Sequence, residues 1–176
     1  MRPAEPGDAA ALVALANAVS AEPEGWLVSS GWRSVGEERR FIRAVRRHPD
    51  AAVFVAELDG ELVGRLSLAR DQHPASAHVA DLGLMVDARA RRRGVGRALL
   101  EAAVAWARAH DIAKLELHVF PWNEPAIKLY ESFGFVREGY RKTHYRRDDG
   151  YADAILMALQ VAPPSSRRQA TGGETR

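Results

Sequence analysis

The apolar residues of this chain recur at two spacings, and each spacing predicts one kind of element. Apolar positions three or four residues apart, with capping residues before them and glycine or proline after them, predict helices. Short apolar stretches with alternating polar positions predict strands. The predicted helices cover residues 8–20, 34–48, the stretch from an arginine-rich turn to about 110, and 123–134. The predicted strands cover residues 2–3, 51–58, 61–69, 78–86, 114–120, 135–145 and 151–159.

Local signals support several of these boundaries. Asp59 and Gly60 separate two strand patterns, which is the strongest short signal for a β-hairpin. Ser34 and Glu37 have the spacing of a capping box at the start of the second helix. Gly83 interrupts the third long strand, so we expect either a β-bulge there or a close approach of other atoms to the backbone.

The order of the elements predicts an α/β (α+β) fold with a mixed sheet and helices on both faces. A helix connects the strand at 78–86 to the strand at 114–120, which makes these strands parallel neighbours. Open α/β sheets bind ligands at the carboxyl ends of such strands. We therefore expect a crevice lined by Met85, Val86, the arginine-rich turn, His118 and Asn123.

The arginine-rich turn is the strongest candidate for a binding site. Residues 86–98 read VDARARRRGVGRA, so a strand leads through three consecutive arginines and a Gly-x-Gly into a helix. The first amides of a helix lack intrahelical partners and its dipole is positive there, which favours phosphate. The turn matches neither a P-loop nor a dinucleotide-binding motif, so it predicts another phosphate ligand. The alternative is a solvated basic face.

Composition narrows the class of protein. With 176 residues, of which 47% are hydrophobic, we expect one domain over residues 1–160 and a disordered tail over 161–176. The chain has no cysteine, which excludes disulfides and a cysteine nucleophile within it. No stretch has the length of a membrane span or the pattern of a secretory signal, so we expect a cytoplasmic protein that binds no membrane.

The net charge argues against nucleic-acid binding. The chain carries a formal charge of +2, and the tail alone accounts for it through three arginines and one glutamate. The remaining domain is formally neutral, whereas a nucleic-acid-binding domain needs a basic face. A small polyanion suits the arginine cluster better, and no metal site is predicted.

Two motifs resemble the GNAT superfamily of N-acetyltransferases. Arg91-x-x-Gly94-x-Gly96 is similar to its acetyl-CoA pyrophosphate loop, and NEPAIKLYESFGF at residues 123–135 is similar to its second signature. The last hairpin, around residues 149–159, resembles those of ribosomal-protein alanine N-acetyltransferases and bacterial amino-acid N-acetyltransferases. The resemblance covers residues 1 to about 160 and is strongest over 80–159.

The resemblance implies a GNAT fold, in which a mostly antiparallel seven-stranded sheet and four helices hold acetyl-CoA where two parallel strands splay apart. It implies that the backbones of Leu84, Met85 and Val86 pair with the pantetheine arm. The pyrophosphate would then lie on the turn formed by Arg91, Arg92, Arg93, Gly94, Val95, Gly96, Arg97 and Ala98. Asn123 would contact the ligand as well, or serve only as a helix cap.

The resemblance also implies catalytic roles. Tyr130 would lie near the thioester sulfur as general acid; without the family pattern it reads as a core aromatic at helical spacing. His118 lies where the alanine acetyltransferases have a glutamate, and a neutral imidazole can accept a proton at neutral pH. Asp81 is the alternative base, and His118 could equally be an ordinary strand histidine.

The predicted function is acetyl-CoA-dependent N-acetyl transfer to a primary amine, of a small molecule or amino acid. Trp26, Trp32 and Tyr145 are candidates for the acceptor pocket, although aromatic residues in loops often only cover the core. The first alternative is acetylation of protein N-termini or lysines. The alternative that is not an enzyme is a non-catalytic acyl-CoA-binding regulatory domain. A homodimer is compatible with the sequence.

Overall fold

The computed structural model of the chain describes residues 1–27, 32–148 and 150–161. The predicted tail beyond Val161 and Asp149 at the centre of the last turn lie outside these residues. Within them, no helix has the length and apolar character needed to cross a membrane.

Seven strands and four helices occur in the described residues. The strands are β1 (Arg2–Pro3), β2 (Ala51–Leu58), β3 (Glu61–Arg70), β4 (Val79–Val86), β5 (Lys114–Val119), β6 (Val136–Arg147) and β7 (Gly150–Gln160). The helices are α1 (Ala9–Ser20), α2 (Val35–Val45), α3 (Val95–Ala109) and α4 (Glu124–Phe133). Every predicted element is present, with ends that differ by up to three residues.

The strands form one sheet in the order β1-β2-β3-β4-β5-β7-β6. All neighbours are antiparallel except β4 and β5, which are parallel as the connecting helix α3 requires. The predicted mixed, mostly antiparallel sheet is therefore confirmed.

The two parallel strands stay together for only a short distance. They pair from Val79 and Lys114 to Asp81 and Glu116, and no further pair follows. Beyond that point β4 continues against β3 as far as Val86, while β5 continues against β7. The strands therefore part, and their carboxyl ends border a gap in the middle of the sheet.

Helices cover both faces of the sheet. Val55 on β2 belongs to a buried cluster with Leu12 of α1 and Ile42 of α2. Its neighbour Ala56 belongs to the other main cluster, with Leu99 of α3. Because successive strand residues point to opposite faces, α1 and α2 cover one face and α3 and α4 cover the other.

Three local predictions have different outcomes. The capping box is confirmed, since the Ser34 side chain accepts from the Glu37 amide and the Glu37 carboxylate accepts from the Ser34 amide. Helix α2 ends at Val45 rather than at about residue 48. Residues 46–48 form hydrogen-bonded turns between the end of the helix and Pro49. A bulge at Gly83 is wrong because the register between β3 and β4 is continuous there. The close approach is correct: an added Cβ at Gly83 would lie 3.0 Å from Ser67 Oγ.

One glycine lets the start of α3 lie directly on the sheet. Gly64 on β3 is buried, and a Cβ added there would lie 3.0 Å from Leu99 and 3.1 Å from both Ala56 and Val95. Val95 and Leu99 belong to the first two turns of α3. The absence of a side chain at Gly64 therefore fixes the height of this helix N-terminus above the sheet.

We expect Gly64→Ala to lower the free energy of unfolding by roughly 1–3 kcal/mol, because the new methyl group would crowd three buried side chains. Gly139→Ala on the exposed strand β6 is the matched control, since the nearest atom to its added Cβ would be 4.0 Å away. This control should change stability by less than about 0.5 kcal/mol. Urea unfolding measures both variants, and a Gly64→Ala variant as stable as its parent would contradict this account of the packing.

Candidate active site

A cavity of about 440 Å³ opens at the gap between β4 and β5. It is bordered by the end of β4, the arginine-rich turn, the first turn of α3, helix α4 and the segment after α1. The predicted site residues that line it are Trp26, Leu84, Met85, Val86, Arg91, Arg92, Gly94, Gly96, Arg97, Asn123 and Tyr130. We call this cavity the turn-side cavity.

The register of β4 determines which of its backbone groups face the gap. The backbone amide of Asp87 donates to the carbonyl of Val63 on β3. Along a strand, the backbone groups of successive residues point to alternate sides. Met85 therefore pairs with Arg65 of β3, whereas the backbone groups of Leu84 and Val86 point toward the gap. Of the three residues whose backbones were predicted to pair with the ligand, Leu84 and Val86 have backbone groups that face the gap. Met85 contributes its side chain to the cavity wall.

The start of α3 presents unpaired amides to the turn-side cavity. Gly94 caps the helix with a φ of 83°, a conformation that glycine adopts without strain. The first intrahelical bond runs from the Ala98 amide to the Gly94 carbonyl, 3.0 Å away, so the amides of residues 95–97 have no partner within the helix. The Ala98 amide is thus already used, which removes one group from the predicted cradle.

The arginines of the turn have different partners. Arg91 donates two hydrogen bonds to the carboxylate of Glu22, at 2.7 and 2.5 Å, and a third to the Val86 carbonyl. Trp26 donates to the same carboxylate at 2.7 Å. Arg93 does not line the cavity and lies 3.8 Å from Asp59.

Arg92 and Arg97 are the cationic side chains of the turn that remain exposed at the cavity. Arg92 makes no ion pair within residues 1–27, 32–148 and 150–161. Arg97 lies over the Phe133 ring at 5.5 Å and 3.7 Å from Glu101, and more than half of its side chain is exposed. Val95, also predicted for the cradle, packs its side chain into the core.

Helix α4 supplies two further predicted residues. The Asn123 side-chain oxygen accepts from the Ala126 amide at 3.2 Å, so its role as a helix cap is confirmed, and this bond does not involve its side-chain nitrogen. Tyr130 is 6% exposed and packs near Phe135, with ring centroids 5.7 Å apart. Burial raises the pKa of Tyr130 to about 12, so its hydroxyl stays protonated at neutral pH and can donate a hydrogen bond.

A second cavity of about 620 Å³ lies on the sheet face covered by α1 and α2. Along β4, residues 81–83 line this cavity and residues 84–86 line the first, so the two cavities adjoin along this strand. Trp32, Asp81, His118 and Tyr145 of the predicted site line it. We call it the α2-side cavity.

His118 is available as a proton acceptor in the α2-side cavity. Its Nε2 atom is buried and has no hydrogen-bond partner within the described residues. Burial, then the charges of Arg141 and His144, lower the pKa of His118 below its ordinary value. Its ring lies 4.9 Å from the ring of His144 and 6.2 Å from that of Tyr145. The imidazole is therefore neutral at neutral pH.

Asp81 lies on the wall of the same cavity with an exposed side chain. Desolvation by neighbouring atoms, and then repulsion from Glu116, raise its pKa above the ordinary value. Glu116 itself is 2.6 Å from the ammonium of Lys114.

The two tryptophans that were predicted to share a pocket line different cavities, although both pack against the cluster of Leu15, Ala16, Val19 and Met85. Trp26 lines the turn-side cavity and packs with Val19 and Met85, whereas Trp32 lines the α2-side cavity. The hydroxyl of Tyr140 on β6 is not part of either cavity; the residue is exposed and donates to Asp153.

Two site residues were missed by the sequence analysis, Glu22 and Arg65. Glu22 follows α1 and belongs to no motif. Arg65 could have been recognised in the sequence, because it is a cation at the centre of the mostly apolar pattern of β3. It is 5% exposed and lines the α2-side cavity.

Comparisons with known proteins agree with this geometry. The family model described as the Acetyltransferase (GNAT) family matches residues 14–135. The L-amino acid N-acetyltransferase AaaT of Escherichia coli (strain K12) is 40% identical over 114 residues, which are 62% of this chain and 68% of that protein. The [Ribosomal protein bS18]-alanine N-acetyltransferase of the same strain is 42% identical over 79 residues, 45% of this chain and about half (53%) of that protein.

A solved structure extends the likeness to the whole fold. The protein yncA of Salmonella typhimurium, solved with its cofactor acetyl-CoA, superposes with a TM-score of 0.83 at 19% identity. The superposition covers 96% of this chain and 97% of that one. With a family match over more than half of its length and the predicted architecture in place, this chain belongs to the GNAT family of acetyltransferases.

Proposed function

We propose that this protein transfers an acetyl group from acetyl-CoA directly to a primary amine, of an amino acid or another small molecule. One observation carries the proposal. The two cavities adjoin along β4, and a buried phenol lines the first while a neutral imidazole lines the second. A thioester entering from one side can therefore meet an amine entering from the other.

The turn-side cavity fits acetyl-CoA in its chemistry. The unpaired amides at the start of α3, with Arg92 and Arg97, suit a pyrophosphate. The backbone groups of Leu84 and Val86 suit the amides of a pantetheine arm, which would take the place of the missing strand partner. To bind the pyrophosphate, Arg91 would have to leave the carboxylate of Glu22. If it keeps this ion pair, its role is to form part of the cavity wall.

The transfer step needs a proton acceptor and a proton donor. The amine nitrogen attacks the thioester carbonyl carbon, the C–S bond breaks, and the amine proton passes to His118 Nε2, directly or through water. The sulfur receives the proton of the Tyr130 hydroxyl. With a pKa of about 12 for Tyr130 and ~8.5 for a thiol, full proton transfer costs about 5 kcal/mol. Tyr130 therefore acts first as a hydrogen-bond donor, and its proton moves late.

An α-amine suits this site better than a lysine side chain. The pKa of the α-amine at a peptide N-terminus is ~8 and that of a lysine amine ~10.4, so such an α-amine needs less help to become neutral. The similarity to an L-amino acid N-acetyltransferase supports a free amino acid. The similarity to a ribosomal-protein alanine N-acetyltransferase supports a second candidate, the N-terminus of a protein. A panel of free amino acids, polyamines and N-terminal peptides, read by thiol release, separates them.

Tyr130→Phe keeps the ring that packs in the core and removes only the hydroxyl. We expect kcat to fall by 10²- to 10⁴-fold with little change in acetyl-CoA affinity, because the lost interaction stabilises the leaving sulfur. Tyr140→Phe on exposed β6 is the matched control and should retain full activity. A loss of tenfold or less in Tyr130→Phe would contradict the assigned role. Tight acetyl-CoA binding by the parent without turnover of any amine would favour a regulatory domain.

The pH dependence of kcat/KM tests His118 as the base. His118 must be neutral to accept a proton, so activity is lost as the pH falls through its lowered pKa. The midpoint of this acid limb should lie below about 6.5. His118→Ala should remove the limb, and His144→Ala should move it to higher pH because His144 contributes to the lowering.

Asp81→Asn distinguishes the alternative base. If Asp81 accepts the proton, the limb persists in His118→Ala and disappears in Asp81→Asn. A limb that is unchanged in both variants belongs to the ionisation of the amine itself and would contradict both assignments.

A further inference from the structure

Arg65 is a buried cation whose hydrogen-bonding capacity is not used by the described residues. It lies in the middle of β3 and is 5% exposed. Its Nε atom is 3.8 Å from Glu38 Oε1, and both atoms lack a hydrogen-bond partner in the parts of the chain that the structure describes. Buried charges are normally paired through hydrogen bonds, so this arrangement needs an explanation.

The charges around Arg65 do not cancel. Glu38 on α2 is fully buried and is the carboxylate that pairs with Arg65 among the described residues, and its other oxygen accepts from Arg33 at 3.2 Å. Two guanidinium groups therefore share one carboxylate, which leaves a net charge of +1. Burial lowers the pKa of Arg65 to about 10, and the group still carries its charge at neutral pH.

Aromatic side chains enclose this excess charge. The guanidinium carbon of Arg65 lies 5.2 Å from the centre of the Trp32 ring, and that of Arg33 lies 4.4 Å from the centre of the Phe41 ring. The rings attract both cations; the side chain of Arg65 is 6% exposed, whereas that of Arg33 is 43% exposed. An anion entering such surroundings interacts more strongly than it would in bulk solvent.

The cluster forms one end of the α2-side cavity. Arg65, Ser67 and Ala69 alternate along β3 and share one face of the sheet, and all three line this cavity. Asp81 and His118 line the same cavity on β4 and β5. The cavity therefore has a cationic end over β3 and a proton-accepting end beside the gap in the sheet.

We infer that Arg65, supported by Arg33, binds the carboxylate of an amino acid whose amine is the acetyl acceptor. This inference rests on the proposed function, because it places the acceptor in the α2-side cavity. The carboxylate supplies the hydrogen-bond acceptors that the Arg65 guanidinium lacks and neutralises the net charge of the cluster. An N-terminal peptide has no carboxylate next to its amine and would leave this charge unpaired.

The test compares an amino acid with its amide, for example methionine with methioninamide, as acetyl acceptors in a thiol-release assay. The parent enzyme should favour the acid in kcat/KM, mainly through a lower KM. In Arg65→Gln this preference should fall by roughly 10- to 100-fold, the range for a lost hydrogen bond to a charged group. The change should appear in KM for the acid rather than in kcat, because the carboxylate is bound equally in ground and transition states.

Two further variants keep the test decisive. Arg65→Gln leaves Glu38 buried with less compensation, so the double variant Arg65→Met/Glu38→Gln removes both charges and should fold while losing the same preference. Arg43→Gln, an exposed cation on α2, is the control and should leave the preference unchanged. Thermal unfolding confirms that each variant is folded.

The outcomes separate this inference from the proposed function. Equal use of acid and amide by the parent, or equal preference in the parent and both Arg65 variants, overturns the inference and leaves the acetyltransferase function standing. A preference for N-terminal peptides over free amino acids also overturns it. A parent that acetylates no amine overturns the proposed function and this inference with it.

Discussion

The early parting of β4 and β5 is the constraint on which the rest of the site depends. Backbone N–H and C=O groups inside a sheet normally pair with a neighbouring strand. Here the pairing stops after Asp81 and Glu116, while β4 stays paired with β3 and β5 with β7 on their other edges. The backbone groups of Leu84 and Val86 are left facing a gap, and the Val86 carbonyl accepts from Arg91 instead of a strand. A sheet interior thereby offers a row of polar groups to a ligand.

The two cavities beside the gap are lined by titratable side chains from opposite faces of the sheet. Tyr130 belongs to the core beneath α3 and α4, whereas His118 points to the face covered by α1 and α2. The two environments shift their pKa values in opposite directions, since burial raises that of Tyr130 to about 12 and lowers that of His118. One group thus remains a proton donor and the other a proton acceptor over the same pH range, as acid–base catalysis requires.

The sequence predicted the features that local rules govern. The hairpin at Asp59-Gly60, the capping box at Ser34 and the glycine that ends α4 follow from the conformational preferences of a few adjacent residues. The arginine-rich turn was recognisable for the same reason, because its glycines and the helix after it are contiguous. The crossover rule then gave the parallel pair.

Contacts between distant residues could not be predicted in this way. Arg91 was expected to face the ligand, but Glu22, 69 positions earlier, holds its guanidinium through a segment with no regular pattern. Trp26 and Trp32 are close in sequence and pack against the same cluster around Met85, yet they line different cavities. Arg65 was overlooked because a single cation in a strand is usually exposed, and only the packing of α2 shows that it is buried beside Glu38.

Amide hydrogen exchange along β4, measured with and without acetyl-CoA, tests the central claim most directly. In the protein alone, the amides of Leu84 and Val86 should exchange faster than that of Met85, because Met85 is paired with β3 and they are not. Acetyl-CoA should slow exchange at Leu84 and Val86 and leave Met85 nearly unchanged. Equal protection of all three amides in the free protein, or no slowing at Leu84 and Val86 when acetyl-CoA is bound, would contradict the account.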